Sequence, residues 1–105
     1  MLTLSEYQTR AHGTSIYPDS YRIVYPALGL TGEAGEVANK VKKLIRDGDT
    51  FELRQSIVDE LGDVLWYAAA LASDLGCDLG DIALGNLRKL RERKERGALH
   101  GSGER

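Results

Sequence analysis

The middle of the chain contains two long stretches in which apolar residues recur at intervals of three and four. This spacing is typical of α-helices with one buried stripe. The first stretch predicts a helix over residues 27–46 and the second predicts a helix over residues 51–75. The turn Asp47-Gly48-Asp49 separates the two helices, and Gly76 ends the second.

Two shorter helices are expected on either side of this pair. One covers residues 4–12 and is followed by a loop over 13–25; the other covers residues 79–96, with Asp78 as its cap. Prolines are absent after Pro26, and no period-2 alternation indicates a strand. We therefore expect an all-α fold, a compact helical bundle with a central antiparallel hairpin and flanking N- and C-terminal helices. It would form one domain over residues 1–96, followed by a Gly-rich C-terminal tail over 97–105.

The two long helices carry the same acidic motif. Gly32-Glu33-Ala34-Gly35-Glu36-Val37 aligns with Asp59-Glu60-Leu61-Gly62-Asp63-Val64 at an offset of 27 residues, so that acidic, small and apolar positions coincide. Because the connection is short, the helices should be antiparallel neighbours, in which facing residues have a constant index sum. That sum is 96 both for Glu33 with Asp63 and for Glu36 with Glu60. We therefore expect four carboxylates to converge.

Converging carboxylates need a cation or protons to neutralise them. Two unit charges 4 Å apart repel by roughly 4 kcal/mol at an effective dielectric constant of 20. An all-oxygen ligand set suits Mg²⁺, and Mn²⁺ can take its place. The only histidines, His12 and His100, lie outside the motif, which disfavours zinc and a di-iron centre. The alternative is a solvated acidic face, because a single E-x-x-E is common on helix surfaces.

A glycine also stands between the two acids of each helix. Inside a helix, glycine costs roughly 1 kcal/mol relative to alanine, so Gly35 and Gly62 indicate a close approach of some kind at these positions. Close packing of the two helices against each other is the simpler explanation, and approach of a ligand is the other.

The composition restricts the possible partners. The net charge is −2, so the chain lacks the basic field that favours nucleic acid. It has neither a signal-peptide segment nor an apolar run long enough for a membrane span, so we expect a cytoplasmic protein. The single cysteine, Cys77, excludes an intramolecular disulfide. A domain of this size buries only about two thirds of its unfolded surface, so a second copy would stabilise it.

Taken together, the paired motifs resemble those of the MazG-like, all-α NTP pyrophosphohydrolase family. E-x-x-E in the first long helix is followed, after a gap of 23 residues, by E-x-x-D in the second. Further similarities lie in Tyr7-Gln8, Leu28-Gly29-Leu30, Lys40, Leu65-Trp66-Tyr67, Asn86-x-x-Lys89-Leu90-x-x-Arg93 and the Gly-rich ending.

The resemblance implies a Mg²⁺-dependent hydrolase that cleaves a nucleoside or deoxynucleoside triphosphate into the monophosphate and pyrophosphate. Such enzymes remove non-standard nucleotides (house-cleaning) or control nucleotide pools. It also implies a homodimer, or a dimer-of-dimers tetramer, in which helices from two subunits complete the site. Two other functions stay open: a non-enzymatic helical oligomerisation module, and a metal-binding protein without phosphate chemistry.

For this activity the acids would have two roles. We expect Glu33, Glu36, Glu60 and Asp63 to hold the metal, with Glu36 and Glu60 as catalytic residues. Glu36 would accept the proton of the attacking water. Lys40 follows Glu36 by four residues, so it is placed either to meet the triphosphate or to pair with Glu36.

Other contacts to the substrate would come from outside the acidic motif. Asn86, Lys89 and Arg93 share one face of the last helix and are expected to bind phosphate, although a solvated charged face is the alternative. The aromatic and amide side chains expected to bind the nucleoside are Tyr7, Gln8, Tyr17 and Trp66. For Trp66, burial at a subunit interface is the competing interpretation.

Overall fold

Four α-helices account for most of residues 1–97, the part of the chain that the computed structural model describes. They are α1 (Leu4–His12), α2 (Val24–Asp47), α3 (Phe51–Asp74) and α4 (Leu79–Glu95), with a 3₁₀ turn at Asp19–Tyr21 before α2. Within those residues there is no strand, which confirms the all-α prediction. Of the predicted tail over residues 97–105, residues 98–105 lie outside the described residues. No described helix is both long and apolar enough to cross a membrane.

The helix ends follow local sequence signals, with one exception. Thr50 and Asp78 cap α3 and α4 through their side chains, and Thr3 forms a capping box with Glu6 at α1. The exception is the start of α2, which was predicted at residue 27 and lies at Val24 instead. Pro26 falls in the first turn of α2, where a helix needs no amide hydrogen from it, so it does not delay the start.

The central hairpin has the predicted register. α2 packs chiefly against α3. The Cα of Gly29 faces the ring of Tyr67, and the Lys40 Nζ reaches the backbone oxygen of Ser56 at 3.5 Å. Both pairs have the index sum of 96 that the sequence predicts. The position of the turn therefore decides which acids of the two helices lie opposite each other.

The core of a single chain is small and consists mostly of alanine. Ala11, Ala69, Ala72 and Leu79 form one buried cluster where α1 crosses α3 and α4. Gln8 is buried beside them, and both polar atoms of its side chain form hydrogen bonds. Its amide nitrogen donates to Ser73 Oγ at 3.0 Å and to the Cys77 oxygen at 2.9 Å, while its oxygen accepts from the Leu79 amide at 2.7 Å. These bonds attach α1 to the turn between α3 and α4.

The entry into α2 is strained. Ile23 has φ 70° and ψ −52°, and the Val24 amide donates to the Arg22 oxygen at 2.7 Å, which together define the rarer, strained type of γ-turn. A β-branched residue rarely adopts a positive φ, and such a conformation costs about 1–3 kcal/mol. The Ile23 amide donates to Asp74 Oδ2 at 2.8 Å, so α3 holds this turn in place.

Replacing Gly29 by alanine should destabilise the hairpin. A Cβ at this position would overlap the ring of Tyr67, so the two helices would have to separate or the ring would have to move. We expect a loss of about 1–3 kcal/mol, the usual cost of overpacking, and a correspondingly lower melting temperature in a thermal denaturation. Gly85→Ala is the matched control, because no heavy atom lies within 4 Å of its added Cβ; it should be neutral or stabilising. Equal melting temperatures for the two variants would contradict the close packing at Gly29.

Candidate functional site

Three of the four predicted acids meet across the hairpin. α2 contributes Glu33, and α3 contributes Glu60 and Asp63, which lie one helical turn apart. One carboxylate oxygen from each residue lies within 4.8 Å of those of the other two. Glu33 and Glu60 are half-buried, and Asp63 is exposed. We refer to these three residues as the acidic cluster.

Their proximity changes how the carboxyl groups titrate. The pKa of Glu33 is raised to about 7, first by the hydrogen bond that its protonated form shares with Glu60, then by burial and by the charges of Glu60, Asp63 and Glu36. The same hydrogen bond, together with Lys40, lowers the pKa of Glu60. Glu60 therefore stays ionised, and the cluster retains a proton on Glu33 up to neutral pH when no cation is bound.

Lys40 provides the positive charge next to the cluster. Its Nζ lies 3.0 Å from Glu60 Oε1, and the two side chains are only 23% and 15% exposed. The sequence predicts either phosphate or Glu36 as its partner. The structure shows an ion pair with Glu60 across the hairpin rather than with Glu36, because the long side chain of Lys40 reaches the facing helix. Its predicted role towards phosphate stays a prediction.

The arrangement fits a hard divalent cation. Oxygen atoms are the ligands that Mg²⁺ and Mn²⁺ prefer, and three carboxylates offer them here from two helices. Glu60 Oε2 is buried and, apart from any proton shared with Glu33, no donor among the described residues reaches it. A buried oxygen without a donor is costly unless an ion or water satisfies it. This oxygen is therefore the clearest indication of a ligand position in the cluster.

Glu36 lies beside the acidic cluster but is not one of its three members. It is exposed, one turn after Glu33 on α2, and its charge contributes to the raised pKa of Glu33. Its predicted roles as metal ligand and base stay predictions.

An aromatic cavity lies next to Tyr67, which faces α2 one turn before Glu33. It has a volume of about 290 Å³ and is lined by Ile16, Tyr17, Pro18, Tyr25, Trp66 and Tyr67. The rings of Tyr17 and Tyr25 stack with centroids 4.8 Å apart, and Trp66 meets Tyr67 edge-on at 5.0 Å. Burial raises the pKa of Tyr67, followed by its hydrogen bond with Tyr25 and by the charges of Tyr25, Glu33 and Asp63. Tyr67 therefore links the cavity to the cluster.

The residues predicted to bind a nucleoside fall into two groups. Tyr17 and Trp66 line the aromatic cavity, and Trp66 Nε1 donates to Thr14 Oγ1 at 2.8 Å. Tyr7 packs against the alanine core, close enough to Asp63 for that charge, after burial, to raise its pKa. Gln8 is not among the residues that line the cavity and bonds to the turn after α3.

Tyr25 and Tyr67 line the aromatic cavity, although neither is among the residues predicted to bind a nucleoside. Tyr67 could have been identified from the register, because it faces Gly29 and so must lie near the acids of α2. No sequence signal places Tyr25, whose position depends on the strained turn at Ile23.

The predicted phosphate-binding residues of α4 lie on a helix that packs against α1 and α3. Asn86 and Lys89 are exposed, whereas Arg93 is 7% exposed. Their role towards phosphate stays a prediction.

A second, larger cavity of about 670 Å³ lies towards the C-terminal end of α3. Gln8, Thr9, His12, Ser15, Tyr17, Asp19, Arg22, Ser73, Asp74, Gly76, Cys77 and Asp78 line it. Tyr17 is the residue that it shares with the aromatic cavity.

Comparison with known proteins agrees with the resemblance inferred from the acidic motifs. The family model of the MazG nucleotide pyrophosphohydrolase domain matches residues 26–98, a range that contains all four predicted acids. The chain is also similar to the "Gene 37 protein" of Mycobacterium phage L5, with 49% identity over 107 residues, covering 93% of this chain and 94% of that protein. No solved structure matches the chain.

The raised pKa of Glu33 predicts how stability depends on pH in the absence of metal. Between pH 4.5 and about 7, the folded protein binds more protons at Glu33 than the unfolded chain does. The contribution of Glu33 to stability should therefore fall as pH rises through this window. Glu33→Gln should be less sensitive to pH there, and more stable than the wild type at pH values above about 7.

Thermal denaturation with a chelator, at a series of pH values, measures this difference. Adding Mg²⁺ or Mn²⁺ above neutral pH should raise the melting temperature of the wild type, and that of Glu33→Gln far less, because the variant lacks one carboxylate ligand. Identical pH profiles for the two proteins would contradict the shared proton.

Proposed function

The chain belongs to the MazG nucleotide pyrophosphohydrolase domain family, and from this we propose that it hydrolyses a nucleoside or deoxynucleoside triphosphate between the α- and β-phosphates. Mg²⁺ would be the cofactor, with Mn²⁺ as a substitute, and the products would be the monophosphate and pyrophosphate. The activity would serve house-cleaning or the control of nucleotide pools, in the cytoplasm.

The acidic cluster beside the aromatic cavity is the observation that supports this proposal. A triphosphate needs a divalent cation at its charged end and an apolar, flat-walled site at its base. The carboxylates of Glu33, Glu60 and Asp63 would hold the cation, and the aromatic cavity would receive the base. Tyr67 lines the cavity and faces Gly29, which lies one turn before Glu33 on α2, so we expect one extended substrate to reach both.

The roles proposed for the chain's own residues follow from these contacts. Glu33, Glu60 and Asp63 would hold the cation, which when bound neutralises phosphate charge and acidifies water. The hydrogen bond with Glu33 and then the ammonium group of Lys40 lower the pKa of Glu60 and so keep this ligand ionised. Glu36 is exposed beside the cluster, where it would accept the proton of the attacking water.

Cations are also proposed to meet the phosphates directly. The ammonium group of Lys40 lies 3.0 Å from Glu60, so phosphate oxygens bound at the cluster would come within its reach. Asn86, Lys89 and Arg93 of α4, from the same chain or from a second copy, would provide further contacts.

We also propose that two copies associate, as a homodimer or as a dimer of dimers. Val58, Leu61 and Leu65 form a stripe on α3 and are 55%, 53% and 39% exposed. No heavy atom lies within 4 Å of a Cβ added at Gly62 in the described structure, so another helix can approach α3 closely there. An exposed apolar stripe of this kind is typical of an interaction surface.

A substrate panel tests the proposed reaction. We expect Mg²⁺-dependent conversion of at least one nucleoside or deoxynucleoside triphosphate into its monophosphate and pyrophosphate, resolved by chromatography. Glu60→Gln should reduce kcat by at least about 100-fold, since loss of outer-shell metal partners alone costs 10–100-fold, and circular dichroism should show unchanged helicity. Release of orthophosphate and diphosphate would contradict cleavage between the α- and β-phosphates. The absence of turnover and of a Mg²⁺-induced thermal shift would favour an oligomerisation module, whereas a thermal shift without turnover would favour a metal-binding protein.

The oligomer is tested by placing a charge on the α3 stripe. Leu61→Glu should shift the protein towards the monomer in light scattering coupled to size-exclusion chromatography, because an unpaired buried charge is costly at an interface. Leu2→Glu, at an exposed apolar position before α1, is the matched control and should keep the wild-type mass. A monomeric wild type would contradict the proposed association.

A further inference from the structure

Asp74, in the last turn of α3, binds three positions of the segment that precedes α2. Its side chain is 7% exposed. Asp74 Oδ2 accepts from the Tyr17 hydroxyl at 2.8 Å and from the Ile23 amide at 2.8 Å. Its other carboxylate oxygen lies 3.9 Å from Arg22 Nε. One carboxylate therefore fixes residues 17–23 to α3.

The contact with Ile23 holds a conformation that the residue does not favour. Ile23 is the only non-glycine residue with a positive φ within residues 1–97. A γ-turn of this kind persists only when surrounding contacts over-determine it. The hydrogen bond to Asp74 is such a contact, and the turn in turn sets the direction in which the chain enters α2.

The segment held by Asp74 forms one wall of the aromatic cavity. Ile16, Tyr17 and Pro18 line the cavity, with the Tyr17 ring stacked on Tyr25. Thr14, just before them, accepts the hydrogen bond from Trp66. Asp74 itself is not among the residues that line this cavity, and it lies about 16 Å along α3 from Asp63, at 1.5 Å per residue. Asp74 therefore acts on the cavity through its contacts with residues 17–23.

We propose that Asp74 is a positioning residue for the nucleoside: its carboxylate holds residues 17–23 so that Tyr17 stays stacked in the wall of the aromatic cavity. This inference rests on the proposed function, because it assumes that the cavity receives the base of the substrate. It assigns Asp74 no contact with the substrate or with the metal.

Steady-state kinetics separate this role from a general loss of stability. Tyr17→Phe removes only the hydroxyl and leaves the ring, so the variant should fold normally. Both Asp74→Ala and Tyr17→Phe should raise KM, Asp74→Ala by about tenfold, as expected when a hydrogen bond to a charged group is lost. kcat should change far less, because the acidic cluster is untouched. Glu52→Gln, an exposed acid on the same helix, is the control and should match the wild type.

The double variant tests whether the two residues act through one bond. Adding Tyr17→Phe to Asp74→Ala should raise KM no further, because the bond is already absent. Fully additive effects, or a fall in kcat with KM unchanged, would overturn the inference.

A second measurement does not depend on catalysis. Trp66 is the only tryptophan of the chain, so its fluorescence reports on the cavity wall. Asp74→Ala should make this fluorescence more accessible to acrylamide quenching, at unchanged helicity, whereas Glu52→Gln should not. Unchanged quenching in Asp74→Ala would overturn the positioning role. A wild type that turns over no nucleotide, but shows the increased quenching in Asp74→Ala, would contradict the proposed function while supporting the anchoring by Asp74.

Discussion

Mutual repulsion among Glu33, Glu60 and Asp63 is the constraint to which the rest of the hairpin responds. Three carboxylates within 4.8 Å of one another oppose folding unless their charge is reduced. Two features of the chain reduce it: Glu33 keeps a proton up to a pKa of about 7, and Lys40 pairs with Glu60 at 3.0 Å. Once Glu33 loses its proton, no donor among the described residues reaches Glu60 Oε2, which is therefore the position where a cation would gain most. Without an ion, the cluster therefore costs the protein some stability, and the proposed cation would relieve that cost.

The positions of the three acidic side chains depend on how α2 packs against α3, and not on the acids themselves. Gly29 allows the Tyr67 ring to lie directly against α2, and this contact fixes the distance between the helices four residues before Glu33. The same ring belongs to the aromatic cavity and is influenced by the charges of Glu33 and Asp63. One residue therefore sets the helix separation and joins the two halves of the candidate site. A change at Gly29 should for this reason disturb the acidic cluster and the aromatic cavity together.

The sequence predicts the parts of this arrangement that follow from helical periodicity. The repeated acidic motif and the short turn were enough to place Glu33 opposite Asp63, because the geometry of a helix hairpin leaves little freedom. The partner of Lys40 did not follow, since a long side chain can reach the facing helix as easily as its own. The position of Tyr25 did not follow either. It depends on a γ-turn at Ile23, which no residue preference favours and which a carboxylate 51 residues later in the chain holds in place.

The two glycines between the acids, Gly35 and Gly62, also bear on how the chain would associate with a second copy. The sequence left open whether Gly35 and Gly62 serve close packing of α2 on α3, and the structure answers that within one chain they do not: a Cβ added at either would meet no heavy atom within 4 Å among the described residues. The close approach belongs to Gly29 instead. Because a glycine inside a helix costs roughly 1 kcal/mol, positions that gain nothing within the chain support the association proposed above. The apolar stripe on α3 next to Gly62 and the alanine-rich core favour a second copy as that partner. The same contact would then stabilise the fold and border the acidic cluster, since a helix packed beside Gly62 would also lie next to Asp63 and Glu60.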